Sequence, residues 1–170
     1  MKRLHLLIFA LCFQLTVAAQ ETSKISSASI SFTFVEKDVE GSIGGFASTS
    51  AINWEKPENS IISGSVETET IKTGNFLRDW SLKGNKYFDS DQFPTITFKS
   101  TQVSVEQSNI LVSGSLTIKG IAKPIEIRFK KEGNRLIGAT TLFSSDYDIT
   151  VLKKGRDSNK VKVMFELNLD

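Results

Sequence analysis

Cysteine and histidine are almost missing from this chain of 170 residues, which has one of each, Cys12 and His5. From residue 20 onward neither residue type occurs. That part of the chain therefore forms no disulfide and has no thiol nucleophile, histidine base or His/Cys zinc site. We expect no bound metal and no cofactor. Any catalysis would depend on carboxylates or lysines.

The first 19 residues have the pattern of a secretory signal peptide. A charged start is followed by an apolar run at 4–15 and by the small residues Val17-Ala18-Ala19, as expected of a cleavage site before Gln20. A membrane anchor is disfavoured, because the apolar run is much shorter than the roughly 20 residues that a spanning helix needs. We therefore predict a signal peptide at 1–19, one domain at 20–170, and a periplasmic or secreted protein.

The net charge of the chain is also small. The chain has 21 Lys and Arg against 19 Asp and Glu, and loss of Lys2 and Arg3 with the leader leaves 19 of each sign. A near-neutral domain gives no reason to expect a nucleic acid partner. The oligomeric state does not follow from the sequence.

What the chain does have is alternation of apolar and polar residues, which is typical of strands with one apolar face. The clearest runs are 30–34, 110–118, 125–129 and 161–169, and weaker ones are 44–54, 61–72, 95–106 and 135–143. These runs predict an all-β fold with about eight antiparallel strands in a sandwich or barrel. Phe32, Ile118 and Phe129 should face inward, whereas Lys119, Glu126 and Arg128 should face outward or lie at a rim.

One segment breaks this period and predicts a short helix near 75–84. Asn75 is a candidate N-cap, and Gly84 follows Lys83 as a candidate helix end. Phe76, Leu77 and Trp80 share one helical face, so we expect the helix to plug or pack on one end of the barrel.

Charged groups beside these elements allow two interpretations each. Arg78 and Asp79 either orient a ligand headgroup or form a structural contact at the helix, and the structural interpretation is favoured. A basic cluster near the last loop either attracts an anion or a membrane surface, or is a solvated hairpin tip, which is commoner. The cluster consists of Lys153, Lys154, Arg156, Lys160 and Lys162.

Five motifs occur in a fixed order along the chain. They are Thr73-Gly-Asn-x-x-Arg-Asp-x-x-Leu82, Tyr87-Phe-Asp89, Phe93-Pro-x-Ile-x-Phe-x-Ser100, Gly114-x-Leu-Thr-x-x-Gly120 and Lys123-Pro-Ile125. In this order they resemble the YceI family of bacterial lipid-binding proteins, over nearly the whole of the predicted exported chain. The resemblance implies a closed, lipocalin-like antiparallel barrel of eight strands that holds a long apolar ligand, such as a polyisoprenoid.

The resemblance also changes how the apolar stripes are interpreted. Alternation alone favours a packed interior, since side chains usually fill a small barrel. The family implies instead a ligand cavity with an apolar lining. The predicted lining is Phe32, Phe34, Phe46, Phe98, Leu116, Ile118, Ile127 and Phe129, with Arg78, Lys119 and Lys153 as candidate rim or headgroup residues.

Three positions depart from the family. Histidines that are common in related sequences correspond here to Ala28, Ser81 and Lys119. Binding of an apolar tail is therefore a safer expectation than recognition of a particular headgroup.

The leading hypothesis is a non-catalytic binding protein for a long-chain amphiphile of the polyisoprenoid or fatty-acyl type, with at most transient membrane contact. Two rivals remain. One is an exported enzyme that acts on a lipid-like substrate through carboxylates, and the other is a protein-interaction module whose barrel is fully packed.

Overall fold

The computed structural model describes residues 22–107 and 109–170. The predicted signal peptide, residues 1–19, lies outside the described residues. The described chain forms nine strands and one α-helix, joined by short 3-10 turns. The strands are β1 (Ile25–Phe34), β2 (Val39–Ile43), β3 (Ala47–Ser48), β4 (Ser63–Glu67), β5 (Thr95–Glu106), β6 (Asn109–Ile118), β7 (Ile121–Glu132), β8 (Arg135–Phe143) and β9 (Lys160–Leu169), and the helix, α1 (Phe76–Lys83), lies between β4 and β5.

All strand pairs are antiparallel and form one curled sheet in the order β2-β1-β9-β8-β7-β6-β5-β4-β3. The longest ladders join strands that strictly alternate, such as β6 and β7. Alternation places every second side chain on the concave face, so the sheet curls around an apolar interior. The predicted all-β antiparallel fold is confirmed.

The barrel closes through one bent strand. β2 pairs with β1, and after a bend the same stretch of chain pairs with β4 as β3. The bend lies at Gly44-Gly45, where Gly45 has a φ of +65° that glycine adopts without steric cost. Backbone bonds between Ser42 and Lys72, of 2.9 and 3.0 Å, support the bend from the side.

Counting β2 and β3 as one bent strand gives the predicted eight strands, but the predicted strand at 44–54 is misplaced. The pairing starts at Val39, and Ala47–Ser48 is the only named strand within 44–54. The sequence pattern fails here because Gly41 occupies an inward position that an apolar side chain would otherwise mark. The predicted strand at 61–72 is also shorter, since Thr68–Thr70 forms a 3-10 turn.

The two ends of the barrel differ. At the closed end a packed core fills the interior, formed by Ile25, Ile52, Ile62, Val103, Ile110, Val112, Ile127, Phe129, Leu136, Leu167 and Leu169. At the other end, which we call the open end, lie α1, the β6–β7 turn at Lys119-Gly120, and residues 144–159. A smaller cluster of Ile118, Tyr147 and Ile149 packs there.

The helix forms where the sequence predicts it. Its N-cap is Asn75, whose Oδ1 accepts a hydrogen bond of 3.0 Å from the backbone N–H of Arg78. The helix lies at one end of the barrel, as expected, but it meets the cavity through Arg78 and Leu82. Phe76, Leu77 and Trp80 point into solvent instead. Helical periodicity predicts that these residues share a face but not which way that face turns. No helix in the described part of the chain is long and apolar enough to cross a membrane.

Candidate functional site

The barrel encloses an apolar cavity of about 530 Å³. This volume is within the range of roughly 300–1,000 Å³ that small-molecule sites occupy. Each strand pair contributes inward side chains, and all eight residues of the predicted lining contact this one space: Phe32, Phe34, Phe46, Phe98, Leu116, Ile118, Ile127 and Phe129. Their contact with a ligand stays a prediction.

The predicted facing of the strands is confirmed. Phe129 and Ile127 are buried on the concave side of β7, whereas Glu126 and Arg128 between and beside them are exposed. Because alternation fixes the facing of a whole strand, these placements also fix the facing of their neighbours along β7.

Four of the lining phenylalanines lie against glycines of a neighbouring strand. Phe32 covers Gly41, Phe46 covers Gly64, Phe98 covers Gly114 and Phe129 covers Gly138, and a Cβ built on these glycines would come within 2.3–3.2 Å of the ring. Each ring therefore occupies the space that a side chain would fill on the next strand. The rings lie along the wall, and the centre of the barrel stays empty.

Little polar surface faces the cavity, and two of its serine hydroxyls are hydrogen-bonded. The hydroxyl of Ser48 donates to Ser50 Oγ at 2.8 Å, and the hydroxyl of Ser50 reaches the carbonyl of Ser63 at 3.1 Å. No carboxylate belongs to the described cavity lining. The interior thus offers an apolar environment with satisfied hydroxyls on one side.

Two cations lie at the mouth of the cavity, Lys37 and Arg78. Arg78 does not pair with its neighbour in the sequence. Its Nε donates to Thr73 Oγ1 at 2.7 Å, and Asp79 accepts a bond of 2.8 Å from the backbone N–H of Thr73. Both charged side chains therefore hold the turn before α1, which agrees with the structural interpretation, while Arg78 also reaches the cavity.

The other two candidate rim residues lie at the same end but do not line the cavity. Lys119 occupies the β6–β7 turn, with its Nζ 3.5 Å from Asp148 Oδ2. Lys153 is exposed on the segment before β9. A headgroup role for either one stays a prediction.

The segment from 144 to 159 forms one wall of the mouth and is held by buried Asn159. The Oδ1 of Asn159 accepts from the backbone N–H groups of Val151 and Leu152 at 2.9 and 3.0 Å, and its Nδ2 donates to the carbonyls of Leu152 and Gly155. These bonds hold the stretch between the two 3-10 turns of the segment, which belongs to no strand or helix. They thereby fix Val151 at the cavity.

An ion pair joins the two ends of the same segment, and its arginine lies against β8. Arg156 donates two bonds to the carboxylate of Asp146, at 2.8 and 2.7 Å, and its guanidinium carbon lies 3.6 Å from the centre of the Phe143 ring. These bonds hold the pKa of Asp146 below its ordinary value and raise the pKa of Arg156. Arg156 belongs to the predicted basic cluster, so part of that cluster is structural and not available to an anion.

Tyr147 is, with Lys37, one of two titratable lining residues that sequence analysis missed. Its ring is buried beside Ile118 and Ile149 at the open end. Burial raises the pKa of Tyr147 to about 12, and the nearby Asp146 carboxylate adds to the effect. Leu82 was missed as well, although it lies one helical turn after Arg78 and could have been placed on the same face.

Comparisons with known proteins agree with this architecture. A family model described as a YceI-like domain matches residues 18–169. A curated relative, Protein YceI of Salmonella arizonae, is 27% identical over 93 residues, which cover 55% of this chain and 49% of the relative. The chain therefore matches about half the length of the curated relatives it resembles.

Among solved structures, BcnA of Burkholderia cenocepacia has a TM-score of 0.74 at 18% identity, covering 84% of this chain and 96% of that one. A YCEI protein of Campylobacter jejuni has a TM-score of 0.65 at 16% identity, covering 78% and 85%. A polyisoprenoid binding domain from Saccharophagus degradans has a TM-score of 0.61 at 13% identity, covering 87% and 97%. At these identities the likeness concerns the fold.

Proposed function

This chain belongs to the YceI-like family, and from that premise we propose that it binds a long-chain apolar amphiphile, of the polyisoprenoid or fatty-acyl type, without catalysing a reaction. The observation that carries the proposal is the apolar cavity of about 530 Å³ inside the barrel. The Saccharophagus degradans domain of the same fold is described as binding a polyisoprenoid, which supports the isoprenoid class.

The energetics favour a long tail over a short one. Burying a methylene group contributes about 0.8 kcal/mol. Association itself costs about 4–15 kcal/mol in lost translational and rotational freedom. A tail with a few methylenes does not offset this cost, whereas about 20 buried methylenes contribute roughly 16 kcal/mol and offset it without any headgroup contact. The three departures from the family's histidines therefore leave tail binding intact.

The two rival functions receive less support. An enzyme that works through carboxylates would need acids that open onto the cavity, and the described lining contains none. A protein-interaction module with a packed barrel would leave no room inside, whereas this barrel has a cavity that reaches the mouth at Arg78. Both observations support binding of a long-chain amphiphile inside the barrel.

Paired substitutions on β6 test the proposal. Leu116 lines the cavity, and Ser115 is its neighbour on the other face of the strand. Leu116→Asp should abolish retention of a fluorescent fatty-acyl probe and of farnesol, since an unpaired charge is costly in an apolar cavity. Ser115→Asp should leave retention unchanged. Leu116→Trp, which fills the space without adding a charge, serves if the Asp variant does not fold. Full retention by folded Leu116→Asp and Leu116→Trp variants would refute the proposal.

The natural ligand is best identified from the protein's own host. Native mass spectrometry of the purified protein, followed by lipid extraction, should detect a bound species with a long apolar tail. A protein that leaves its host empty, and that takes up neither probe, would contradict a binding function.

We also propose export with removal of residues 1–19, on the strength of the leader pattern. N-terminal sequencing of protein from the cell envelope or the medium should start at or near Gln20. A chain that keeps Met1 and stays in the cytoplasm would overturn this localisation.

A further inference from the structure

Helix α1 has two faces with opposite surroundings. With 3.6 residues per turn, Phe76, Leu77 and Trp80 lie within about 100° of arc, and Arg78 and Leu82 lie on the opposite side. Arg78 and Leu82 line the cavity. The other three side chains, which we call the outer face, are 81%, 73% and 73% exposed. One short helix thus carries both the cavity mouth and the most exposed large apolar side chains in the described part of the chain.

The exposure of the outer face does not come from a loosely attached helix. Asn75 caps the first turn, and Asp79 binds the backbone of Thr73. At the other end, the backbone N–H of Phe88 donates to the carbonyl of Leu82 at 3.0 Å, and Lys83 Nζ lies 3.1 Å from Glu69 Oε1. Bonds at both ends hold the helix in place while its apolar side faces water.

We propose that the outer face docks on a phospholipid bilayer, with Phe76, Leu77 and Trp80 inserted at the boundary between headgroups and acyl chains. Short amphipathic helices with Trp, Phe and Leu on one side bind membranes in this way, and Trp prefers this depth. Docking would bring the open end of the barrel, which carries α1 and the cavity mouth, to the bilayer. That docking serves the uptake or delivery of a lipid rests on the proposed function.

The size of the outer face favours a membrane over a protein partner. Three side chains of this kind bury at most roughly 500 Å². A stable protein interface needs about 800 Å² from each partner, with a complementary shape. A fluid bilayer needs no such complementarity.

The charges beside the outer face also fit a headgroup layer. Lys72 and Lys86 are exposed on either side of α1 in the sequence and make no ion pair among the described residues. Two acids near α1 are engaged already: Glu69 accepts bonds from Lys83 and Ser90, and Asp79 from Thr73. Exposed ammonium groups are thus left to meet lipid phosphates.

The test compares two apolar-to-acid substitutions in the full chain. Leu77→Asp alters the outer face, and Met164→Asp is a matched control on β9, where Met164 is 49% exposed. Both variants and the parent are floated with vesicles of phosphatidylethanolamine and phosphatidylglycerol, and with neutral phosphatidylcholine vesicles. Leu77→Asp should lower the bound fraction by at least about tenfold, while Met164→Asp should match the parent. Equal flotation of Leu77→Asp and parent, or an equal loss with Met164→Asp, would overturn the proposal.

Tryptophan fluorescence gives a direct readout of insertion. The chain has two tryptophans, Trp54 and Trp80, so Trp54→Phe leaves Trp80 as the only reporter. Vesicles should shift its emission to the blue, and brominated lipids should quench it. A second copy of the chain on the outer face is the alternative occupant. If the parent is a dimer in solution that Leu77→Asp dissociates, and vesicles do not shift Trp80 emission, membrane docking is refuted.

Docking and ligand binding can fail separately. Probe added from solution should bind Leu77→Asp as well as the parent, whereas transfer of the probe from vesicles should slow by about tenfold. If no variant holds any probe but Leu77 remains necessary for flotation, the proposed function fails and the docking surface stands. If the probe moves from vesicles to parent and Leu77→Asp at one rate, docking has no part in transfer, and the proposed uptake or delivery of a lipid at the bilayer is wrong.

Discussion

Replacement of Gly138 by alanine tests whether the phenylalanine–glycine contacts keep the cavity open. Gly138 of β8 pairs with Phe129 on one side and with Phe165 on the other. A Cβ at this position would lie 2.3 Å from Cδ1 and 2.4 Å from Cε1 of Phe129, far inside van der Waals contact. The Phe129 ring, 98% buried and 6.0 Å from the Phe165 ring centre, must therefore move toward the lumen.

The expected cost follows from two opposing effects. Overpacking of a core typically costs about 1–3 kcal/mol. Alanine in place of glycine also restricts the unfolded chain, which returns about 0.4–1 kcal/mol. The net loss in the free energy of unfolding is about 1–2 kcal/mol, which lowers Tm by roughly 2–8 °C in a domain of this size. Urea unfolding and thermal melts measure it, and retention of the fatty-acyl probe should fall as the ring enters the cavity.

Two further variants make this prediction specific. Gly44→Ala is the matched control, because a Cβ there meets only Thr70 at 3.7 Å, an ordinary contact. Its stability should match or exceed that of the parent. Phe129→Leu in the Gly138→Ala background should recover part of the loss, since the two positions touch and their effects are not additive. If Gly138→Ala melts with the parent and retains the probe fully, the rings do not depend on the glycines and the reasoning fails.

Three other predictions concern the open end. Asn159→Ala should lower the free energy of unfolding by about 2–4 kcal/mol in urea titrations, because four buried backbone contacts lose their partner; a change below about 0.5 kcal/mol would contradict the role given to this side chain. Since the pKa of Tyr147 is raised to about 12, the unfolded chain ionises first above pH 10, so stability relative to Tyr147→Phe should fall by about 2–3 kcal/mol between pH 10 and 12 and be constant below; parallel pH profiles would count against it. Arg78→Ala and Lys153→Ala should change probe retention by less than about threefold, and abolished retention in either would make headgroup recognition dominant.

The strand pattern could be predicted because its cause is local. Along most of β6 and β7, inward apolar residues alternate with outward polar ones, and that pattern placed Ile118 and Phe129 in the interior. The helix could also be predicted from the sequence, since Asn75 and Gly84 mark its ends. Local signals of this kind do not depend on distant partners.

The missed features depend on contacts between distant parts of the chain. The sequence did not predict β2, because its inward position 41 is a glycine. The ring of Phe32 on β1 fills the space beside Gly41, and no local pattern reveals this contact. The side of α1 that carries Arg78 and Leu82 faces the cavity, and the apolar side therefore faces solvent. The sequence of the helix does not show which side meets the barrel. Tyr147 stood in the sequence between two acids, and only the fold shows that its ring closes one side of the mouth.

The bent strand formed by β2 and β3 closes the barrel through short ladders, so we expect the circumference of the barrel to be adjustable. A barrel closed by full-length ladders has a girth fixed by strand number and stagger. Here the closing strand shares five residue pairs with β1 and two with β4, against ten between β6 and β7. Local opening starts where the fewest bonds hold, so this strand can yield while the long ladders remain intact. Under the proposed function, the thickness of the tail that the barrel admits should then depend on the bend at Gly44-Gly45, which lies next to the lining ring of Phe46.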